Sequence, residues 1–261
     1  MRNIYKMPRE VTQGSIINCC LASQYPDKHV YGIVITPRCD LAHEGKVDYV
    51  HYLPIVDFKD WYLTDGLNYL YSKWYLKKKE KFIELSKRYS IPTSIVGIDK
   101  YERMASCITD KNQRDNYLNV VKSYFEASSD SKEFLDYVNS NKTKDMIIEN
   151  LFRDNLPAFY LIEDWEENSH SYKVILLREL RRFSVDSVIL IGKGMDSSQI
   201  NEKMDELIFV DDMCFIQSQV TSPFVEHIMQ RFSYNFCRIG VADRNKKEIT
   251  SQLMKEIEKS L

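Results

Sequence analysis

The chain has no CxxC pair, no P-loop, no GxGxxG and no internal repeat. The first absence removes the usual zinc and dithiol spacings. The next two remove the common phosphate-cradling loops. No segment approaches the run of ~18 apolar residues that a membrane helix needs, and the opening "MRNIYKMPREVTQGS" has no apolar stretch of signal-peptide length. The expectation is a cytoplasmic protein with no membrane association. A charge surplus is lacking as well. With 36 basic and 38 acidic side chains the net charge is −2, so any contact with nucleic acid has to come from a local patch. No metal site and no cofactor are expected.

What is present is ordinary globular material. The 261 residues are 44% hydrophobic and 28% charged, enough for a real core. Cys19, Cys20, Cys39, Cys107, Cys214 and Cys237 are scattered and mostly in apolar surroundings. In a large cytosolic chain that pattern reads as reduced core residues, not disulfides.

Residues 11–58 read as β. "GSIINCCLAS" and "HVYGIVITP" are apolar runs, and "KVDYVHYLPIV" alternates, with Val47, Tyr49, His51 and Leu53 on one side. Residues 58–90 are aromatic, then basic, at helical spacing, with Gly66 as a break. Residues 113–126 and 130–154 are further helices, with Thr143 as a cap. A hairpin is expected at "PAFYLIEDW" and "SYKVILLREL", a strand at "SVILIGKG", a short helix from Ser197 or Ser198 to about Met204, and a last strand at "DDMCFIQSQV". The end is helical: Ser222 as N-cap, Pro223 at the first helical position, and a final helix over 246–259.

The fold class is therefore α+β. A small barrel or curved antiparallel sheet begins in 1–58, and 59–155 is a helical insertion. Strands in 156–221 complete or extend the sheet, and 222–261 forms C-terminal helices. Two separate β domains are the rival arrangement.

Three stretches carry chemistry. In "TPRCDLAH", Cys39 would be a nucleophile, His43 its base and Asp40 the group orienting the base, with Arg38 favouring the thiolate. The structural alternative is a strand exit in which Asp40 accepts turn N–H groups. On the helix from 223, His227, Arg231, Tyr234 and Arg238 form a cationic stripe suited to a phosphate backbone or to internal carboxylates. "YSKWYLKKKEKF", with Lys77 and Lys78, mixes aromatics and lysines as single-strand binders do, and equally as a solvated helix face does.

"HVYGIVITPRCDLAHEGKVDYVHYLPI", with "QGSI" before it, resembles the central strands of MazF/PemK-type toxins over about residues 11–58. That resemblance implies an SH3-like small barrel. It also implies RNA cleavage by a basic group before the aliphatic run and a Ser/Thr at its end. Thr36 matches the second; His29 or Val30 stands at the first. "ITPRCDL" together with "SPFVEHIMQRFSYNFCRIG" is similar to a group of bacterial proteins found among mobile and phage-defence genes, whose recognisable residues would be Cys39, Asp40, Arg231, Arg238 and Gly240.

Three functions follow as expectations. The first is an accessory or adaptor protein of a bacterial phage-defence or toxin–antitoxin-like system, binding a protein from the same operon, with RNA or DNA as the other class of partner. The second is a MazF-like endoribonuclease centred on Thr36. The third is a hydrolase using Cys39.

Overall fold

The computed structural model describes residues 5–6, 10–43, 45–95, 97–165, 171–199, 207 and 213–237. Arg238, the expected helix over 246–259 and the stretch after Gln199 towards Met204 lie outside the described residues.

The first strands are β1 (Tyr5–Lys6), β2 (Ser15–Ile17) and β3 (Tyr31–Val34), then the one-turn α1 (Arg38–Leu41) and β4 (Tyr49–Asp57). The helical segment follows: α2 (Phe58–Trp61), a π-turn over Tyr62–Gly66, α3 (Leu67–Arg88), α4 (Ile98–Met104), α5 (Lys111–Phe125), α6 (Lys132–Asn139) and α7 (Asn141–Phe152). The last part holds β5 (Phe159–Glu163), β6 (Tyr172–Leu176), β7 (Arg181–Ser184), α8 (Val185–Lys193), β8 (Met195–Asp196), β9 (Met213–Cys214), β10 (Ile216–Val220) and α9 (Phe224–Cys237). The expected break at Gly66 is a π-turn inside an otherwise continuous helical run.

The fold is α+β, with a strongly curled antiparallel half-barrel. Both β regions enter one sheet, in the order β1-β10-β2-β3-β4-β6-β5, with β7 also on β4. β4 is the hub. One edge pairs β3 over Tyr52–Ile55. The other is shared, by β7 over Tyr49–Tyr52 and by β6 over Ile55–Asp57. The fork falls at Leu53 and Pro54. Ile35 donates its N–H to the His51 carbonyl, so odd-numbered residues of β4 bond towards β3 and Pro54 faces the forked edge. A proline in a central strand normally costs a ladder bond; here its missing N–H coincides with the gap between two partner strands.

Alternate residues of the inner strands feed two cores. Ile17, Val34, Tyr52, Val56, Val174 and Leu176 belong to one, which also holds Leu70, Trp74, Phe134, Ile147 and Leu151 from the helical segment. Ile16, Ile33, Leu53, Ile55 and Ile175 belong to the other, closed by Val225 and Ile228 of α9. The sheet is covered on both faces, which is why β4 is buried without interruption from Tyr52 to Val56 although the sequence there alternates. A third core, Phe82, Leu85, Tyr101, Tyr117, Val120 and Val121, lies among α3, α4 and α5. α3 therefore ties the sheet to a helical core of its own.

Several local expectations change. The run 187–194 is the helix α8, not a strand: Ser184 accepts the Ser187 N–H as its cap, and Val188 and Ile191 are the buried pair at i, i+3. Ser140, not Thr143, caps α7, accepting the Thr143 N–H, and it also separates α6 from α7. α9 starts at Phe224, after a cis Ser222–Pro223 bond, with the Thr221 carbonyl accepting the N–H groups of Phe224 and Val225. The cysteines are not all free. Cys19 and Cys214 are bonded, with Cα atoms 5.4 Å apart across 195 residues. Asn18 draws the two segments together, accepting the Phe215 N–H at 2.9 Å and donating to the Met213 carbonyl at 3.0 Å.

Gly32 marks the tightest approach in the sheet. A Cβ there would lie 2.4 Å from Cys20 Sγ and 2.6 Å from Tyr52 Cδ2. Tyr52 cannot give way: it is buried, stacks on Phe183 at 4.4 Å, and its hydroxyl accepts the Leu21 N–H. Gly32→Ala should cost about 1–3 kcal/mol, the usual penalty of overpacking. The expected readout is a lower urea midpoint at unchanged slope; a midpoint equal to the wild type would show that the Cys20–Tyr52 contact is slack.

Candidate functional site

The "TPRCD" break splits into an inside and an outside. Thr36 is buried, and its hydroxyl accepts the His51 N–H at 2.7 Å, extending the β3–β4 ladder past the end of β3. Pro37 then stops the strand, and its carbonyl accepts the N–H groups of Asp40 and Leu41 to start α1. Arg38 and Cys39 are exposed on that turn. The Cys39 thiol donates to Asp40 Oδ1 at 3.5 Å, and Lys46 Nζ stands 2.5 Å from the same oxygen. The Lys46 ammonium holds the Asp40 carboxyl below the usual carboxylate range, and Asp40 in turn raises Lys46.

Asp40 and His43 come together at the rim of a cleft of about 500 Å³ between this turn and α8. Leu41, Val50, Val188 and Ile189, the last 51% exposed, make up much of its apolar lining. Thr36 does not line it. The three sequence candidates Cys39, Asp40 and His43 thus share a neighbourhood, while among the described residues the hydrogen-bond partner of the Cys39 thiol is Asp40. No group of three or more His, Cys, Asp or Glu side chains is placed to hold a metal ion among the described residues.

His227 and Arg231 sit at another junction. Arg231 Nη2 donates to the Asp154 carbonyl at 2.8 Å, and its Nε lies 3.9 Å from the Asp154 carboxylate. His227 Nδ1 is 3.0 Å from the Tyr160 hydroxyl, and Nε2 is 4.0 Å from Asp154. Burial raises the Tyr160 phenol, the Asp154 charge adds to this and Arg231 opposes it. Of the two kinds of partner this stripe suits, Arg231 therefore faces the internal one, the Asp154 carbonyl and, at longer range, its carboxylate. Asp154 and Tyr160 carry no local motif. Asp154 holds a left-handed backbone, φ 57°, just past the end of α7, a position that Asp tolerates better than most residues.

Lys77 and Lys78 line a third cleft, between α3, α5 and α6. Lys78 is tied down: its ammonium bonds Ser123 and Glu133 and lies 4.4 Å from the Trp74 ring centre. Lys77 carries no ion pair among the described residues.

Tyr25 and Asp65 form a pair with no local signal in the sequence. Tyr25 donates to Asp65 Oδ2 at 2.5 Å, joining the β2–β3 connection to the π-turn. The two line a cleft with Arg178 and Glu179. Burial pushes both groups up, and the Glu179 carboxylate raises Asp65 further. Neither a protein-family model, nor a curated protein, nor a solved structure matches the chain.

The raised Asp65 fixes a sign. Its folded-state pKa lies above the unfolded one, so its stabilising contribution is full below the ordinary carboxylate range. That contribution is lost as pH rises through the folded value. Urea unfolding of wild type and Asp65→Asn across acid pH isolates this contribution. The wild type's stability relative to the variant should be flat at the lowest pH and fall just above the ordinary carboxylate range. A difference that grows with rising pH would mean that the Tyr25 bond outweighs burial.

Proposed function

We propose that the chain is an accessory or adaptor protein of a bacterial phage-defence or toxin–antitoxin-like system that docks a protein partner at the α1–α8 cleft. The observation carrying this reading is the make-up of that cleft. Leu41, Val50, Val188 and Ile189 give it apolar surface, and Glu10, Asp40, His43 and Lys193 line it beside them. Protein interfaces combine apolar and polar surface in this way, with an aromatic or aliphatic anchor filling a pocket. Arg38 and Cys39 stand exposed on the turn that forms one lip. The setting rests on the likeness of "ITPRCDL" and the α9 segment to proteins found among defence genes.

The ribonuclease and hydrolase readings have less behind them. A Ser/Thr that assists RNA cleavage has to reach a phosphate, whereas the Thr36 hydroxyl is buried and already accepts the His51 N–H. A nucleophilic cysteine needs a base in hydrogen-bond reach, and the Cys39 thiol contacts a carboxylate that Lys46 already occupies.

Two measurements test the reading. Co-expression with the products of neighbouring genes, followed by light scattering on a sizing column, should give a complex with one of them. Ile189→Asp should weaken that complex roughly tenfold or more, since it replaces an exposed apolar contact with a charge that the partner would have to desolvate. A chain that elutes alone with every neighbour overturns the proposal. Labelled single-stranded RNA should remain intact with the wild type. If it is cut, and Thr36→Val folds yet does not cut, the chain is a ribonuclease instead.

A further inference from the structure

A different part of the molecule, sharing no residue with the α1–α8 cleft, points to a small-ligand site. α3 presents Lys77, Lys78 and Lys81 to the space between itself, α5 and α6, a cleft of about 420 Å³. α5 adds Asn116, Asn119 and Ser123, and the one carboxylate in the lining is Glu133. Glu133 and Ser123 already hold the half-buried Lys78. Lys77 and Lys81 are exposed, and neither has an acidic partner among the described residues. They stand at i, i+4, where two like charges destabilise a helix. A bound anion would relieve that repulsion and use both ammonium groups at once.

We propose that this cleft binds the phosphate groups of a nucleotide, with Lys77 and Lys81 as the phosphate contacts and Asn116 and Asn119 as hydrogen-bonding groups for the rest of the ligand. Size favours a nucleotide over a bare anion, because the volume lies within the range of small-ligand pockets, about 300–1,000 Å³. Lysines serve phosphate as point charges, and side-chain amides offer both donors and acceptors to base or sugar edges. Base stacking is not the mode of recognition: Trp74 is only 6% exposed, and Lys78 covers its ring. The site stands whether or not the chain has a protein partner.

The ligand can be free or part of a strand, and calorimetry on the full chain separates the two. Three probes are titrated: ATP, inorganic pyrophosphate and a short single-stranded oligonucleotide. An acidic peptide of glutamates serves as the competing class. Binding of at least one nucleotide probe is expected, and it should weaken as salt rises. Tighter binding of ATP than of the oligonucleotide assigns a free nucleotide; the reverse order assigns a strand. The double variant Lys77→Gln, Lys81→Gln should lose roughly tenfold or more in affinity, as two charge-assisted contacts imply. Lys142→Gln, an exposed lysine on α7, should not change it. The proposal is overturned if no nucleotide probe binds at low salt, if Lys142→Gln weakens binding as much as the double variant, or if the acidic peptide binds better than every phosphate.

Discussion

The structure depends on one constraint: β4 must be buried on both faces and paired on both edges. Tyr52 and Val56 look into one core, Leu53 and Ile55 into the other. Fully burying such a side chain is worth about 1.5–3 kcal/mol, so a strand that does this at consecutive positions holds the cores together. It also needs partners along its whole length. β3 supplies one edge, while β7 and β6 divide the other at the point where Pro54 has no N–H to give. The curl of the sheet and the placement of both helical layers follow from that strand.

The clefts arise from the same arrangement. A curled sheet covered on two faces leaves gaps where helix ends meet its rim. α8 follows directly from β7 and meets the turn that leaves β3, which creates the α1–α8 cleft. α9 closes the core that holds Leu53 and Ile55 and brings His227 and Arg231 against Asp154 just past the end of α7. The lysine cleft lies where the sheet core, through Trp74, meets the separate helical core, through Val120. Clefts of different character thus share one core, Val50 and Val188 lining the first and Trp74 the second.

Part of this was legible in the residues. The runs around Ile33 and Leu53, the Pro37 exit, the hairpin at 159–176 and the long amphipathic helix after Phe58 all show in local pattern and spacing. Cys39, Asp40 and His43 stand close in sequence and stay close in space, so that neighbourhood could be named in advance. Other features could not. α8 was misread because a β-branched run looks like a strand until its cap, Ser184, is seen to bond Ser187. The Arg231–Asp154 contact spans 77 residues and the Tyr25–Asp65 bond spans 40, and neither leaves a local signal.

What the sequence determined by itself is the local layer: where strands and helices start and stop, which residue types gather at the "TPRCD" break, and that the lysines of α3 share a helix with aromatics. These follow from short-range sterics, capping and periodicity. What only the tertiary structure decided is which groups are already spent. Thr36 is inside because its strand is continued by a side-chain bond to His51, and Arg231 is held by the Asp154 carbonyl just past the end of α7. Cys19 meets Cys214 because β10, paired to β2, brings the residues just before it to the end of β2. Burial and long-range pairing depend on the whole packed chain, and those two properties separate a group that holds the fold from one left to bind something else.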